Sequence, residues 1–373
     1  MCGKSFMIKD NKIKLDSFLY YVAWIIGLFR LINPKIYRAI PNAEIFTLIQ
    51  IILLFICILL KKYNKIQFIK FLIIGCLLVI STVVSKNYEA LLIFMLVIAF
   101  RNEDFDNIVR FDIKAKILLL ILNILLIKFG IIDNQTFFKN GFSRYTLGFY
   151  SPNTFPSFLS SVIIEIVYLL KRYKITHFVL ILLIIYIIDI YFCSRTCEII
   201  LLMFSILMFL TKNKNIGKLI CNRFTKYLPF VLTILSFISV HLFEKNNPLF
   251  IKINDILTTR LYCASQYLQI YDIKFFGNNI IKYDNYIGYA QTIDISYINF
   301  LLQNGIVSYL IIFFMIFKLL DDLIKKKKIE LLIIFVTFLL MGLTEKNALY
   351  VSSNIFLLLC ATIFEKKEVN EDV

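Results

Sequence analysis

The sequence has few charged residues, few histidines and little tryptophan. Only 18% of its 373 residues are charged, and it contains two histidines and one tryptophan. It has no P-loop, no glycine-rich dinucleotide fingerprint after a strand, and no His-Glu-x-x-His zinc motif. These absences argue against nucleotide-driven chemistry and against a histidine-based zinc enzyme.

Cysteine is present but scattered. Most of the eight cysteines lie inside apolar runs, where cysteine behaves as a small hydrophobe. Cys193 and Cys197 form the only close pair, and neither a second pair nor a nearby histidine completes a zinc site. Inert packing is the favoured interpretation, and a disulfide from Cys193 or Cys197 to Cys263 is the alternative. We therefore predict no metal and no cofactor.

Apolar sequence is abundant. Hydrophobic residues make up 60% of the chain, its mean hydropathy is +0.79, and several runs approach the roughly 20 residues that cross hydrocarbon. A soluble domain of this length could not bury so much apolar surface. We expect an all-α integral membrane protein, a single polytopic domain over 1–373 with the lipid bilayer as a partner, because backbone groups in lipid are satisfied only within helices. Residues 15–32 are expected to form an uncleaved first span.

Runs of low charge divide the chain into about twelve predicted spans, within a range of about eleven to thirteen. They lie near 15–32, 43–60, 66–85, 87–100, 116–132, 155–170, 175–193, 196–211, 227–244, 295–317, 329–344 and 349–364. Basic clusters, including the one at 101–116, mark nearly every second junction and contain most of the 41 lysines and arginines. By the positive-inside rule, that side is cytoplasmic, and both termini are predicted to lie there.

Three polar segments then share the extracytoplasmic side. They are the outer loop 133–154, the tight turn CSRTCE at 193–198, and the long late loop 245–294. A loop as long as the last is uncommon without a function. Its many tyrosines and amphipathic spacing predict short helices lying at the membrane interface.

The stretch LGFYSPNTFPSF, at 147–158, combines turn residues with the start of an apolar run. Gly148 and Pro152 are expected to bend the chain. Asn153 or Thr154 is expected to cap the helix that follows, and Pro156 suits its first turn.

Arg144, Arg195 and Arg260 are the arginines on the outer side from position 133 onward. A planar, always-charged guanidinium suits the oxygens of a phosphate or pyrophosphate. For Arg195, which sits between two spans with almost no loop, the alternatives are snorkelling to lipid headgroups and pairing with Glu198.

Three carboxylates complete the candidates. Asp294 lies where the long loop re-enters the membrane, so it can accept a proton from a substrate hydroxyl or interact with a helix dipole, and the two roles can coexist. Glu165 and Asp189 lie within predicted spans, where ionisable groups default to functional candidates. Pairing with an arginine is an open alternative for each.

The order of these motifs resembles that of the Wzy-type polysaccharide polymerases. That family belongs with the O-antigen ligases in a superfamily of polytopic, GT-C-like glycosyltransferases. The resemblance covers about 141–305 and rests on LGFYSPNTF before one span, SRT opening another, RLY followed by FFGNN in the long loop, and DISYINFLLQNG opening a late span.

The resemblance implies an activity. A growing glycan is transferred as a block from undecaprenyl pyrophosphate to the non-reducing end of a new repeat unit, outside the cell (cytoplasmic) membrane. The substrate is a lipid-linked oligosaccharide, a flippase and a chain-length regulator are the expected partners, and nucleic acid is not. The implied catalytic residues are Asp294 as base and Arg195 and Arg260 at the pyrophosphate, and the implied substrate contacts are Arg144, Asn153, Tyr262 and Asn278.

Two departures from the family pattern bear on this interpretation. Family members often carry His-Pro-Asn where this chain has Ser151-Pro152-Asn153, so no histidine role is transferred. Ligases tend to have histidine at the position matched to Asp294, which favours a polymerase over a ligase-type glycan transferase. A lipid-linked oligosaccharide flippase is the more distant alternative. It would line a cavity with charges from its early spans, whereas the first four spans here are nearly bare of charge.

Overall fold

A computed structural model describes residues 15–101, 103–139, 142–149, 151–211, 217, 220–280 and 292–364. In chain order the α-helices with both ends among these residues are α1 Leu15–Ile32, α2 Pro34–Ala39, α3 Glu44–Leu60, α4 Lys65–Ser85, α5 Glu89–Phe100, α6 Phe105–Lys128, α7 Thr154–Leu169, α8 Ile175–Phe192, α9 Arg195–Leu210, α10 Leu228–Glu244, α11 Pro248–Ile256, α12 Arg260–Ile270, α13 Ser296–Lys325 and α14 Ile329–Met341. Three 3-10 helices occupy Arg223–Tyr227, Lys346–Leu349 and Ile355–Phe364.

Several of these helices suit a membrane. Five are long and apolar enough to span one: α1, α4, α8, α13, and α10 together with the 3-10 turn before it. Their outward surfaces are apolar as well. On α8, for example, only Ile181, Ile188 and Phe192 are buried. Apolar surfaces of this extent are stable in contact with lipid but not in contact with water. The chain is an all-α membrane protein.

Every predicted span coincides with a described helix, although some helices reach beyond the predicted span limits or stop short of them. The helix of the fifth span, α6, begins at Phe105, ahead of the predicted start near 116. The predicted cytoplasmic cluster 101–116 is therefore partly helical, and Lys116 is fully buried. The reason is that carboxylates inside the bundle neutralise this lysine. α13 continues past 317 to Lys325, and the last helix starts at Ile355 and not near 349.

Two helices form the centre of the bundle. α13 packs against α4, α5, α10, α14 and the last helix. On α5, every residue from Ala90 to Phe100 is buried, so this helix is surrounded on all sides. α8 packs on α9, and α1 packs on α3.

The segment 133–154 contains the one β-hairpin among the described residues. Its strands, Thr136–Lys139 and Phe142–Tyr145, are antiparallel. Gly148 then bends the chain with φ +81°, and a Cβ there would lie 2.4 Å from Asn123 Nδ2. The predicted turn at Gly148 is therefore confirmed.

The predicted N-cap position of α7 is confirmed at Asn153, but its side chain makes no capping hydrogen bond. Its Oδ1 instead accepts a hydrogen bond from Arg144 Nη2. A charged donor competes successfully for the amide oxygen because charge-assisted hydrogen bonds are stronger than neutral ones.

The segment 245–294 contains the predicted short helices, α11 and α12. After α12 the chain runs beside a break in α13 at Gly305, where φ is 80° and ψ is 172°. Asn278 N donates to Leu302 O at 3.0 Å, and Ile306 N donates to Lys274 O at 3.1 Å. These bonds satisfy backbone groups that the broken helix leaves without partners.

Candidate functional site

The candidate site is built around Arg260, the first residue of α12. Its side chain is 2% exposed and lies between two carboxylates. Arg260 Nη2 donates to Glu345 Oε1 at 2.7 Å, and Arg260 Nε lies 3.5 Å from Asp294 Oδ2. Two of the predicted catalytic residues are therefore in contact, although 34 positions separate them in the chain.

Glu345 was missed by the sequence reasoning. It follows α14 and is 8% exposed. Its Oε1 also accepts a hydrogen bond from Thr196 Oγ1 at 3.2 Å, and its backbone oxygen accepts one from Ser296 Oγ at 2.6 Å. The available signal was that Glu345 is the one acidic residue in the polar turn at 342–354.

The charges in this cluster determine how its members titrate. Burial disfavours the charged guanidinium, but Glu345 and Asp294 outweigh that effect and raise the pKa of Arg260. Burial also raises the pKa of Glu345, even though Arg260 favours its ionised form. Arg260 therefore stays charged, and Glu345 holds a proton more readily than an exposed glutamate does.

Asp294 is the most accessible member of the cluster, with 32% of its side chain exposed. Thr292 Oγ1 donates to Asp294 Oδ1 at 2.9 Å. Asp294 precedes α13, which begins at Ser296, by two residues. Asp294 therefore lies at the predicted helix terminus. One of its carboxylate oxygens faces Arg260, and the exposed part of its side chain is accessible to a substrate.

Two nitrogens of the Arg260 guanidinium make no hydrogen bond with the described residues. Its Nε and Nη1 are buried, and within the described part of the chain neither has a hydrogen-bond partner. The 3.5 Å contact to Asp294 is an ion pair longer than an ordinary hydrogen bond. A buried unsatisfied donor costs about 1–3 kcal/mol, so an oxygen-rich ligand that reaches these nitrogens is stabilised.

Arg144 lies close to the same cluster and is 6% exposed. Its Nε donates to the backbone oxygen of Phe192, at the end of α8, at 2.5 Å, and its Nη2 donates to Asn153. Burial lowers the pKa of Arg144, and the charge of Arg260 adds to this effect. Asn153 therefore orients an arginine in the structure.

Arg195 is the exposed arginine of the three. It begins α9, next to Thr196, which contacts Glu345. In the described structure no carboxylate, including that of Glu198, lies within 4.0 Å of its guanidinium. The alternative in which Arg195 pairs with Glu198 is not realised, and its donors face outward.

A polar cavity of about 270 Å³ lies beside the cluster. Its described lining residues are Ser85, Lys86, Asn87, Tyr267, Asn278, Asn279, Ile280, Thr292, Ile293, Asn299, Gln303, Lys346 and Tyr350. Thr292 is hydrogen-bonded to Asp294, Lys346 follows Glu345, and Tyr267 lies two turns after Arg260 on α12. The cavity and the cluster therefore share their supporting segments.

The two remaining predicted contacts differ in their environment. Asn278 lines the cavity, and its Nδ2 donates to the backbone oxygens of Asp272 and Leu302 at 2.8 and 3.1 Å. Tyr262 is half-buried, with its ring packed edge-on against Phe243 at 6.5 Å, and it is not among the described residues that line the cavity.

A second charge cluster lies inside the bundle, on α6 and α7. Lys116 Nζ lies 2.7 Å from Asp112 Oδ2 and 2.5 Å from Glu165 Oε1, and all three side chains are fully buried. Trp24 Nε1 donates to Asp112 Oδ1 at 2.7 Å. The alternative in which Glu165 pairs with an arginine is not realised, because α6 brings Lys116 to it. Asp189 is exposed and has no ion pair within the described residues.

The cysteines do not join either cluster covalently. All seven cysteines in the described ranges are free. Cys197 and Cys263 are buried, and the alternative of a disulfide to Cys263 is not realised. Among the described residues, no three His, Cys, Asp or Glu side chains converge as a metal site would need.

No family model, curated protein or solved structure matches the chain. The class that fold and sequence define together is an all-α membrane protein with a buried arginine–carboxylate cluster beside a polar cavity.

Proposed function

We propose that the protein is a polysaccharide polymerase. It extends a glycan by transferring the growing chain from undecaprenyl pyrophosphate to the non-reducing end of a new lipid-linked repeat unit. The observation that carries the proposal is Arg260, buried between Asp294 and Glu345 at the edge of a polar cavity. The arrangement offers a base and fixed positive charge, which are the two requirements of this transfer.

The proposed topology has about twelve spans, with both termini in the cytoplasm and the site outside. It is supported by the agreement between the predicted spans and the helices, and by the lysine clusters at alternate junctions. In this arrangement the cluster lies at the extracytoplasmic surface of the cytoplasmic membrane. A lipid-linked donor reaches that surface while its undecaprenyl chain stays in the bilayer.

In the proposed reaction, Asp294 accepts the proton of the acceptor hydroxyl. The hydroxyl oxygen then forms a bond to the anomeric carbon of the donor chain. The bond from that carbon to the pyrophosphate oxygen breaks, and undecaprenyl pyrophosphate leaves with the electron pair. A single displacement of this kind inverts the anomeric centre. The exposure of Asp294 suits this role better than the burial of Glu345 does.

The departing pyrophosphate needs positive charge. Arg195 presents exposed donors, and Arg260 retains two nitrogens without hydrogen-bond partners in the described structure. We assign Glu345 the role of holding Arg260, because it makes the shorter ion pair and is closed off from solvent. Arg144 contributes a further charge nearby, fixed by Asn153.

A gene deletion in the native host tests the proposal. The deletion strain is expected to lose long polymer on a glycan gel and to accumulate single lipid-linked repeat units. The wild-type gene should restore the ladder, and the Asp294→Asn gene, expressed at the same level, should not. A normal ladder in the deletion strain would contradict the proposed function. Full-length glycan that stays on its lipid pyrophosphate in the deletion strain, without attachment to a further acceptor, would indicate the ligase.

One observation favours a second candidate, a proton-coupled transporter of lipid-linked glycan. The buried Asp112–Lys116–Glu165 cluster lies inside the bundle, and ionisable groups in such positions often mark transport paths. A transporter that uses this cluster loses its activity in Glu165→Gln, whereas a polymerase keeps it. The sidedness of the accumulated repeat unit separates the two functions, because a transport defect traps the unit on the cytoplasmic leaflet.

A further inference from the structure

The cavity beside the Arg260 cluster is lined by an unusual set of side chains. Five of its described lining residues are amides: Asn87, Asn278, Asn279, Asn299 and Gln303. Each amide both donates and accepts hydrogen bonds, as a sugar hydroxyl does. The rings of Tyr267 and Tyr350 add apolar surface to this lining. A lining of this kind suits a hydroxyl-rich ligand of about the size of one sugar ring.

The described lining residues of the same cavity carry an excess of positive charge. Lys86 and Lys346 both line it, and no carboxylate is present among its described lining residues. Neither ammonium lies within 4.0 Å of a carboxylate in the described part of the molecule. Glu345 precedes Lys346, but its carboxylate is paired with Arg260. A ligand with a negatively charged group would therefore meet two ammonium groups that no described lining carboxylate neutralises.

Access and position also fit a substrate site. Lys86 is exposed and Lys346 is half-buried, so the charge faces a solvent-connected space. Thr292 connects the cavity wall to Asp294 through a 2.9 Å hydrogen bond. A ligand held by the amides therefore lies next to the accessible carboxylate of the cluster.

We infer that this cavity binds a sugar residue that carries a negatively charged group, a carboxylate or a phosphate, between Lys86 and Lys346. The inference rests on the proposed function, because it names the substrate class of that same site. The charge has two possible sources, namely an acidic sugar in the repeat unit and the pyrophosphate on its first sugar.

The probes come from the deletion strain. The accumulated lipid-linked repeat unit is isolated, and its sugars are analysed for acidic groups. Mild acid then releases the oligosaccharide without its pyrophosphate, and reduction of its carboxyl groups or removal of its phosphates gives a neutral form. Binding of these probes, and of the intact pyrophosphate-bearing unit, is measured with the full-length protein in nanodiscs.

Lys86→Gln and Lys346→Gln test the role of each lysine, and Lys252→Gln, on the exposed surface of α11, is the matched control. Each cavity variant is expected to weaken binding of the charged ligand by roughly tenfold or more, since a hydrogen bond to a charged group contributes that much. Added salt should weaken wild-type binding in parallel. The control should change neither.

The results distinguish the two sources of charge and the two proposals. Lysine-dependent binding of the released acidic oligosaccharide supports an acidic sugar, and lysine-dependent binding of only the pyrophosphate-bearing unit supports the pyrophosphate. Equal binding of charged and neutral forms, or unchanged binding in both lysine variants, overturns the inference and leaves the polymerase proposal intact. A deletion strain that still makes normal polymer contradicts the polymerase proposal itself.

Discussion

Gly277 and Gly305 pack against each other so closely that neither position has room for a side chain. A Cβ on Gly305 would lie 2.2 Å from the backbone nitrogen of Gly277, and a Cβ on Gly277 would lie 2.1 Å from the carbonyl oxygen of Gln303. Both residues have positive φ, 84° and 80°. The FFGNN and QNG motifs are therefore two halves of one contact, and that contact forms one wall of the cavity.

Alanine at either glycine is expected to destabilise the protein. The overlap involves backbone atoms, which cannot move aside as a side-chain tip does, so the loss should be about 1–3 kcal/mol or more. Gly277→Ala and Gly305→Ala should lower the melting temperature of the purified protein in detergent. Gly75→Ala is the matched control, because the nearest contact of its Cβ beyond its own stretch of helix would be Phe94 Cε1, at 3.9 Å. Equal melting of all three variants would show that the contact is not close.

Removing Lys116 is expected to be severe. Lys116→Met leaves two buried carboxylates without a cation, and breaking a buried ion pair in this way costs about 3–5 kcal/mol. The thermal stability of the purified variant should fall sharply. Lys114→Met, at an exposed position on the same helix, should melt like the wild type. A stable Lys116→Met would indicate that the carboxylates hold protons and need no cation.

The Glu165→Gln variant distinguishes a structural role of the buried cluster from a role in transport. The variant leaves one carboxylate, on Asp112, paired with Lys116, so the buried charges balance and the fold should persist. A polymerase should then make polymer of normal length, as judged on a glycan gel. Loss of polymer at normal protein level would support the transporter alternative.

Glu345 is expected to matter for activity through Arg260. Glu345→Ala removes the 2.7 Å ion pair that holds the guanidinium, and polymer formation should fall by roughly tenfold or more, the equivalent of about 1.4 kcal/mol or more. Glu345→Asp should recover part of the rate, since it restores the charge. Glu330→Ala, at an exposed site, should have no effect. Full activity in Glu345→Ala would show that Glu345 is not needed to hold Arg260 for the reaction.

The sequence predicted the helical segments well because each depends on a local property, a run of apolar residues. The sequence also identified both Arg260 and Asp294 as candidate site residues, because few charged residues lie at the ends of the predicted spans. It could not predict that Glu345 completes the cluster. That contact depends on where the turn after α14 meets the start of α12, and a single glutamate in a short turn carries no local sign of it.

The burial of Lys116 was missed for a related reason. A lysine near the end of an apolar run looks like a cytoplasmic anchor, and only its contacts with Asp112 on α6 and Glu165 on α7 show otherwise. Asn153 takes the predicted N-cap position but makes no capping hydrogen bond, because Arg144 competes for its side chain. A local sequence pattern predicts the commonest role of a residue, and its tertiary contacts determine which role it has in the fold.

The most direct test of the central claim is polymerisation by the purified protein. Wild-type protein in proteoliposomes, supplied with the lipid-linked repeat unit from the deletion strain, is expected to form a ladder of glycans. Asp294→Asn should form none, because the acceptor hydroxyl loses its base. Asp255→Asn, at an exposed position on α11, should form the normal ladder. A normal ladder from correctly folded Asp294→Asn protein would contradict the proposed site.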